Sequence, residues 1–209
     1  MYLFLNTRLR AYGGKFSTLL SYWCLHAQTV DTDEHPRPNT SLDKLSKLKP
    51  VFKKDGTVTA ANASGICDGA GCVILATEEV VKEQNLTPLA RVSGYKVTGC
   101  DPTIMGIGPV PAITGALEMA GLSIGGVDRF EINEAFAAQV LACAKELDLD
   151  LSITNTHGGG ISLGHPLAAS GSRILAHLAN EFQRTEARVH VGAACIGGGQ
   201  GIAVVLERA

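Results

Sequence analysis

Residues 158–171 read Gly-Gly-Gly-Ile-Ser-Leu-Gly-His-Pro-Leu-Ala-Ala-Ser-Gly, and residues 195–201 read Cys-Ile-Gly-Gly-Gly-Gln-Gly. Glycine clusters invite a nucleotide-binding reading, which the spacing does not support. The dinucleotide fingerprint is G-x-G-x-x-G between a strand and a helix. Gly158, Gly160 and Gly164 miss that spacing by one, Gly197, Gly199 and Gly201 give G-x-G-x-G, and Gly106 and Gly108 are followed by Pro111 at the last position. No Walker A sequence occurs. The better physical reading is backbone brought close to a reacting centre, because glycine leaves N–H groups unobstructed and tolerates positive φ. Donors beside Cys195 suit an oxyanion hole. His165, held between Gly164 and Pro166, offers a fixed imidazole as proton acceptor.

Outward from these segments, the chain reads as alternating strands and helices. Strands are expected over 71–76, 89–97, 127–132, 189–193 and 202–206, and helices over 78–84, 109–120, 135–147 and 168–182. This alternation predicts an α/β layered architecture. Residues 31–50 are polar and proline-bearing, ending in a short helix with Leu42, Leu45 and Leu48 on one face. Residues 1–30 hold no Asp or Glu but include Arg8, Arg10, Lys15 and six of the aromatic residues (Tyr2, Phe4, Tyr12, Phe16, Tyr22 and Trp23). They read as a transit segment or an unrelated leader.

Composition sets the outer bounds. The 209 residues are 45% hydrophobic and 18% charged, which fits a folded globular chain. A net charge of −2 offers no electrostatic footprint for nucleic acid. No apolar run approaches the ~20 residues that cross a bilayer. The six cysteines form no C-x-x-C pair and no zinc-type Cys/His spacing, so they read as reduced thiols, with no metal expected.

Taken together, Asn133-Glu134-Ala135-Phe136, residues 158–171 and residues 195–201 resemble the thiolases, enzymes that make or cleave 3-ketoacyl-CoA. The resemblance runs from about residue 30 to 209 and takes in His-Pro-Arg-Pro-Asn-Thr at 35–40, residues 55–65 and residues 101–112. It is nearest to the mitochondrial-type 3-ketoacyl-CoA branch, which implies a matrix location, with the cytoplasm as the alternative. It implies an αβαβα fold of two similar halves. Residues 89–209 would be the C-terminal domain, 51–88 a remnant of the N-terminal domain and 31–50 the end of a loop domain.

The resemblance also implies roles. His165 is similar to the histidine that activates the nucleophilic cysteine, and Cys195 to the second cysteine, which acts as acid and base. Asn133 is similar to an asparagine holding a water in one oxyanion hole, and Gly197 to a glycine whose N–H serves the other. Arg37, Thr40 and Ser64 match contacts to coenzyme A, which is a substrate and not a resident cofactor. The family nucleophile lies in a C-x-S-G motif, and no such motif occurs in this sequence. The implied function is therefore thiolysis of 3-ketoacyl-CoA or the reverse condensation, with the nucleophile supplied from elsewhere and the partner a homo-oligomer or a complementing chain. The alternatives are a non-catalytic CoA-binding or assembly module, or a truncated gene product. Smaller departures from the family wording are Ala61 and Ala169 for glycine, Gly160 and Ser162 for alanine, and His157 for asparagine. Of these, Ala169 is expected to disturb the helix start beside His165, and the remnant strand at 71–76 is expected to lack sheet neighbours.

Overall fold

The computed structural model describes residues 1–4, 31–33 and 35–209. In chain order the elements are β1 (Tyr2–Phe4), α1 (Leu42–Ser46), β2 (Ile74–Ala76), α2 (Glu78–Glu83), β3 (Ala90–Gly99), α3 (Pro109–Ala120), β4 (Arg129–Ile132), α4 (Ala137–Leu147), α5 (Gly160–Leu163), α6 (Ser170–Glu181), β5 (Val189–Ile196) and β6 (Gln200–Arg208). Short 3-10 turns occupy Pro102–Ile107, Ile124–Gly126 and Leu151–Ile153.

The strands form one six-stranded sheet in the order β2-β1-β3-β6-β5-β4. Only β4 and β5 run parallel, as the crossover through α4, α5 and α6 requires. Period-two alternation sends successive side chains of the central strands to opposite faces. Val191, Ala193, Ala203 and Val205 pack with Ala112, Ile113, Ala116 and Leu117 of α3 and Val140 of α4. Leu206 and Val204 point the other way, against Ile174, Leu178, Ala179 and Phe182 of α6. The result is an α-β-α sandwich with two apolar layers, and the sheet between them carries the site at the carboxyl ends of β4 and β5.

Helix boundaries follow local chemistry. α3 opens on proline, whose fixed φ and missing N–H suit the first turn. It closes on Gly121 at φ 69°, a left-handed position that a Cβ would strain. At α6, Ala169 takes a right-handed backbone and its N–H bonds to the Pro166 carbonyl, so the helix begins undisturbed at Ser170. The expected disturbance is absent because that position needs no positive φ.

Two expectations change. Helix α1 ends at Ser46, and its leucines do not form a buried face: Leu42 is 84% exposed and Leu48 41%. The strand read at 71–76 shortens to β2 and gains a neighbour from the chain's first residues. β1 pairs antiparallel with both β2 and β3, Leu3 is fully buried, and the Leu89 and Val92 N–H groups donate to the Leu3 and Met1 carbonyls at 3.0 and 2.8 Å. Three residues carry too short a pattern to be read as a strand. Their place is set by partners seventy or more positions away. The remainder of the leader or transit segment, residues 5–30, lies outside the described residues. Among the described residues β2 has no strand beyond it, and Ile74 and Leu75 are half exposed.

Candidate active site

Three chain segments converge at the carboxyl end of β4. Residues 133–136 leave the strand, residues 158–166 run through α5 to His165, and residues 63–66 lie between them. The Ser64 N–H and hydroxyl both donate to the Ala135 carbonyl at 3.0 Å. At the next residue, the His165 N–H donates to the Gly65 carbonyl at 2.7 Å. Residues 63–66 therefore stitch the other two segments together through backbone bonds, which positions His165 from both sides.

The imidazole of His165 bridges two side chains. Its Nε2 lies 3.3 Å from Asn133 Nδ2, and its Nδ1 lies 2.6 Å from Ser170 Oγ. Burial lowers the His165 pKa, with the Arg173 guanidinium acting in the same direction, so the ring is neutral at pH 7 and available as a base. Asn133 is 1% exposed, and its Oδ1 has no hydrogen-bond partner among the described residues. An unpartnered buried acceptor costs on the order of 1–3 kcal/mol, so this oxygen faces an interaction that the described chain does not itself supply.

Asn133 also links His165 to Cys195. Its N–H donates to the Ala193 carbonyl at 2.8 Å, which locks the end of β4 to β5 two residues before Cys195. Cys195 is half-buried, and burial together with the neighbouring Cys100 sulfur pushes its thiol pKa up. Cys195 is a protonated thiol at pH 7, a proton donor first and a base only after losing that proton. Cys143, whose Sγ donates to the Gly106 carbonyl at 3.3 Å, is pushed further, to about 11, by burial.

The glycines after Cys195 divide by role. Gly199, at φ 84°, packs so close that an added Cβ would sit 2.4 Å from the Cys100 carbonyl oxygen, and at Gly201 it would sit 1.9 Å from that of Gly108. These two are glycine for close packing of the β5–β6 hairpin against residues 100–108. Gly197 and Gly198 are both exposed, with no atom closer than 3.8 Å to where a Cβ would sit, so neither is glycine for close packing.

Arg37 and Thr40 sit in an exposed turn. The Arg37 guanidinium donates to the His35 and Pro36 carbonyls at 3.0 and 3.2 Å, and Thr40 Oγ1 donates to the Arg37 carbonyl at 2.7 Å. What reaches the centre from this loop is His35, whose Nε2 lies 3.0 Å from the Ile161 carbonyl and so donates to it. On the other side the Ile161 N–H donates to Glu134 Oε2 at 3.1 Å, while Glu134 Oε1 accepts from Asn155 Nδ2 at 3.1 Å. His35, Glu134 and Ser170 are thus site residues that sequence reasoning missed. Glu134 and His35 lie inside quoted motifs, whereas the partnership of Ser170 with His165 carries no spacing signal.

Two other constellations prove structural. Residues 160–164 spell G-x-S-x-G, but Ser162 lies within helix α5 and its hydroxyl donates to the Gly159 carbonyl at 3.3 Å, unlike the strained strand-to-helix elbow of a serine nucleophile. His157, His177 and Glu181 bring three possible metal-ligand atoms within 4.8 Å of one another. The buried Glu181 carboxylate already faces Arg129 at 3.7 Å and Arg184 at 3.2 Å, so the group is a charge-compensated network.

The family profile "Thiolase, C-terminal domain" matches residues 86–208, and "Thiolase, N-terminal domain" matches residues 24–79. The mitochondrial 3-ketoacyl-CoA thiolase of Bos taurus is 64% identical over 180 residues, covering 86% of this chain and 45% of that protein. The acetyl-CoA acetyltransferase of Paracoccus denitrificans is 50% identical over 179 residues, covering 86% and 46%. The crystal structure of human mitochondrial 3-ketoacyl-CoA thiolase superimposes with a TM-score of 0.83 at 63% identity, covering 88% of this chain and 46% of that one. A structure of the human enzyme in complex with CoA matches with the same score. The chain spans about half the length of these relatives.

Proposed function

The chain belongs to the thiolase family, and we propose that it supplies the acid–base part of a site for acyl transfer on CoA thioesters. The observation that carries this reading is Asn133. Its side chain meets the neutral His165 imidazole, its backbone ties down the strand bearing Cys195, and its buried Oδ1 is left for a further partner. In the reaction we propose, His165 Nε2 takes the proton of a nucleophilic cysteine as that sulfur attacks an acyl thioester. Cys195 exchanges a proton with the acetyl Cα or the CoA sulfur. In thiolysis the acyl-enzyme thioester breaks to CoA; in condensation the acetyl-CoA carbanion displaces the same sulfur. Developing oxyanions would be met by His165 Nε2–H, once it carries the cysteine's proton, with a water held on Asn133 Oδ1, and by the Gly197 N–H.

The sequence holds no C-x-S-G nucleophile, so turnover requires that cysteine from a further segment or another chain. Ile74 and Leu75, half exposed on a strand with no outer neighbour among the described residues, favour such a partner, since an apolar edge strand invites pairing. Arg37, Thr40 and Ser64 are the proposed CoA contacts, the guanidinium pairing with phosphate. A mitochondrial matrix location follows the mitochondrial relatives.

Purified residues 1–209 should show negligible thiolysis of 3-ketoacyl-CoA, but should bind CoA saturably in calorimetric titration, with binding weakened at least tenfold in Arg37→Ala. Robust turnover by the chain alone, abolished in Cys195→Ala, would refute the need for a second nucleophile-bearing part. Turnover restored by adding an N-terminal thiolase half confirms the acyltransferase reading. CoA binding without such restoration identifies the alternative, a binding module, and absence of CoA binding identifies an inert fragment.

A further inference from the structure

We propose that Ser170 is a positioning residue that fixes the tautomer of His165 and, through it, the orientation of the Asn133 amide. The argument is one of donors and acceptors. The Ser170 hydroxyl has a single proton, and its Oγ lies 3.2 Å from the Pro166 carbonyl oxygen, which can only accept. In this geometry the hydroxyl donates to Pro166, sharing a carbonyl that also accepts the Ala169 and Ser170 N–H groups at 2.8 and 2.9 Å. Its remaining capacity toward the imidazole is that of an acceptor, so the 2.6 Å contact is Nδ1–H donating to Ser170 Oγ. A neutral imidazole has one N–H only, so Nε2 carries the lone pair.

Consequences run outward from that nitrogen. A lone pair at Nε2 selects the Nδ2 side of Asn133 at 3.3 Å, because an amide oxygen there would place two acceptors face to face. Asn133 Oδ1 is then the buried atom left without a partner, as observed. The opposite tautomer would invert the pair, turning Nε2 into a donor and removing the lone pair a general base requires. Ser170 is 4% exposed, and it is the first residue of α6, so its backbone is set by the helix and its hydroxyl cannot swing into water. One buried hydroxyl thus decides whether the imidazole can accept a proton on the side facing Asn133.

This inference rests on the reading of His165 as a base, but its test does not use catalysis. The full chain is labelled with 15N-histidine, and His165 is assigned by loss of its signal in His165→Asn. Long-range 1H–15N correlation spectra above the His165 pKa then report each ring nitrogen. The expected wild-type pattern is a protonated Nδ1 and an unprotonated Nε2. In Ser170→Ala the tautomer ratio should move about five- to tenfold toward Nε2–H, the scale of one lost hydrogen bond, and in Ser170→Thr the wild-type pattern should return. A wild-type chain with the proton on Nε2 overturns the proposal without recourse to any variant. So does a folded Ser170→Ala chain with an unchanged ratio. Either result leaves the CoA titration and complementation experiments standing, so the two readings fail separately.

Discussion

Leu3→Ala removes a fully buried side chain of β1, and its cost measures whether the chain's first residues belong to the fold. Leu3 packs with Ala90, Ile174, Leu178, Phe182 and Leu206, in the layer between the sheet and α6. Truncation deletes three carbon groups, worth about 2.4 kcal/mol at ~0.8 kcal/mol each. Phe182 and Leu178 are held by α6 and Leu206 by a central strand, so the wall around the gap relaxes only in part and a cavity cost adds to the transfer cost. The expected loss is about 2.5–4 kcal/mol, a fall in Tm of roughly 5–16 °C for a chain of this size. Urea unfolding followed by circular dichroism gives the free energy directly, and Leu42→Ala is the control, since that side chain is 84% exposed and should shift stability by less than about 0.5 kcal/mol. Equal stability of Leu3→Ala and Leu42→Ala would refute the placement of β1 between β2 and β3. Residues 1–4 would then be an appendage, and β2 would lose its only strand neighbour among the described residues.

Arg173→Met should cost about 3–5 kcal/mol by leaving the Glu131 carboxylate, 1% exposed, without its guanidinium; adding Glu131→Gln should recover most of that loss in urea unfolding. Acid should destabilise the chain through one buried and two half-buried histidines. Burial lowers the pKa of His165 and His190, and that of His177 to about 4. With the folded pKa below the unfolded value, the unfolded chain binds the extra proton, so stability is complete above about pH 6.5 and is lost as pH falls from there toward 4. For His177, 20% exposed at its side chain, a drop from 6.5 to about 4 corresponds to about 3.4 kcal/mol, or on the order of 2 kcal/mol after discounting for solvent screening. His177→Gln should flatten that limb of the pH–stability curve, separating it from Glu131, whose pKa is raised by burial and which acts in the opposite sense. Gly201→Ala should abolish folding of the β5–β6 hairpin because its Cβ would meet the Gly108 backbone, whereas Gly197→Ala, with open space around it, should leave thermal stability within about 0.5 kcal/mol of wild type.

Most elements from residue 89 onward were legible because their patterns are long. The helix expected at 109–120 forms as α3 over that span, and the strand at 202–206 extends to β6 at Gln200–Arg208 because hairpin pairing with β5 continues past the apolar run. His165 and Cys195 stood out because each lies inside a glycine-rich motif. Ser170 did not, since its partnership with His165 depends on where α6 starts after Pro166. Nor did the state of the Cys195 thiol show, because burial sets that pKa and burial belongs to the assembled sheet.

By itself the sequence determined the family, the α/β layering and the candidate acid–base groups, because motif wording and hydrophobic period are local properties that survive without a partner. Only the tertiary structure decided which atom of each group does what. The assembled chain places Ser170 Oγ and Asn133 Nδ2 on opposite nitrogens of His165, seats β1 beside β2, and turns two glycines of residues 195–201 into packing positions. Those outcomes depend on donors, acceptors and backbone surfaces far apart in the chain, and on the water excluded when they meet.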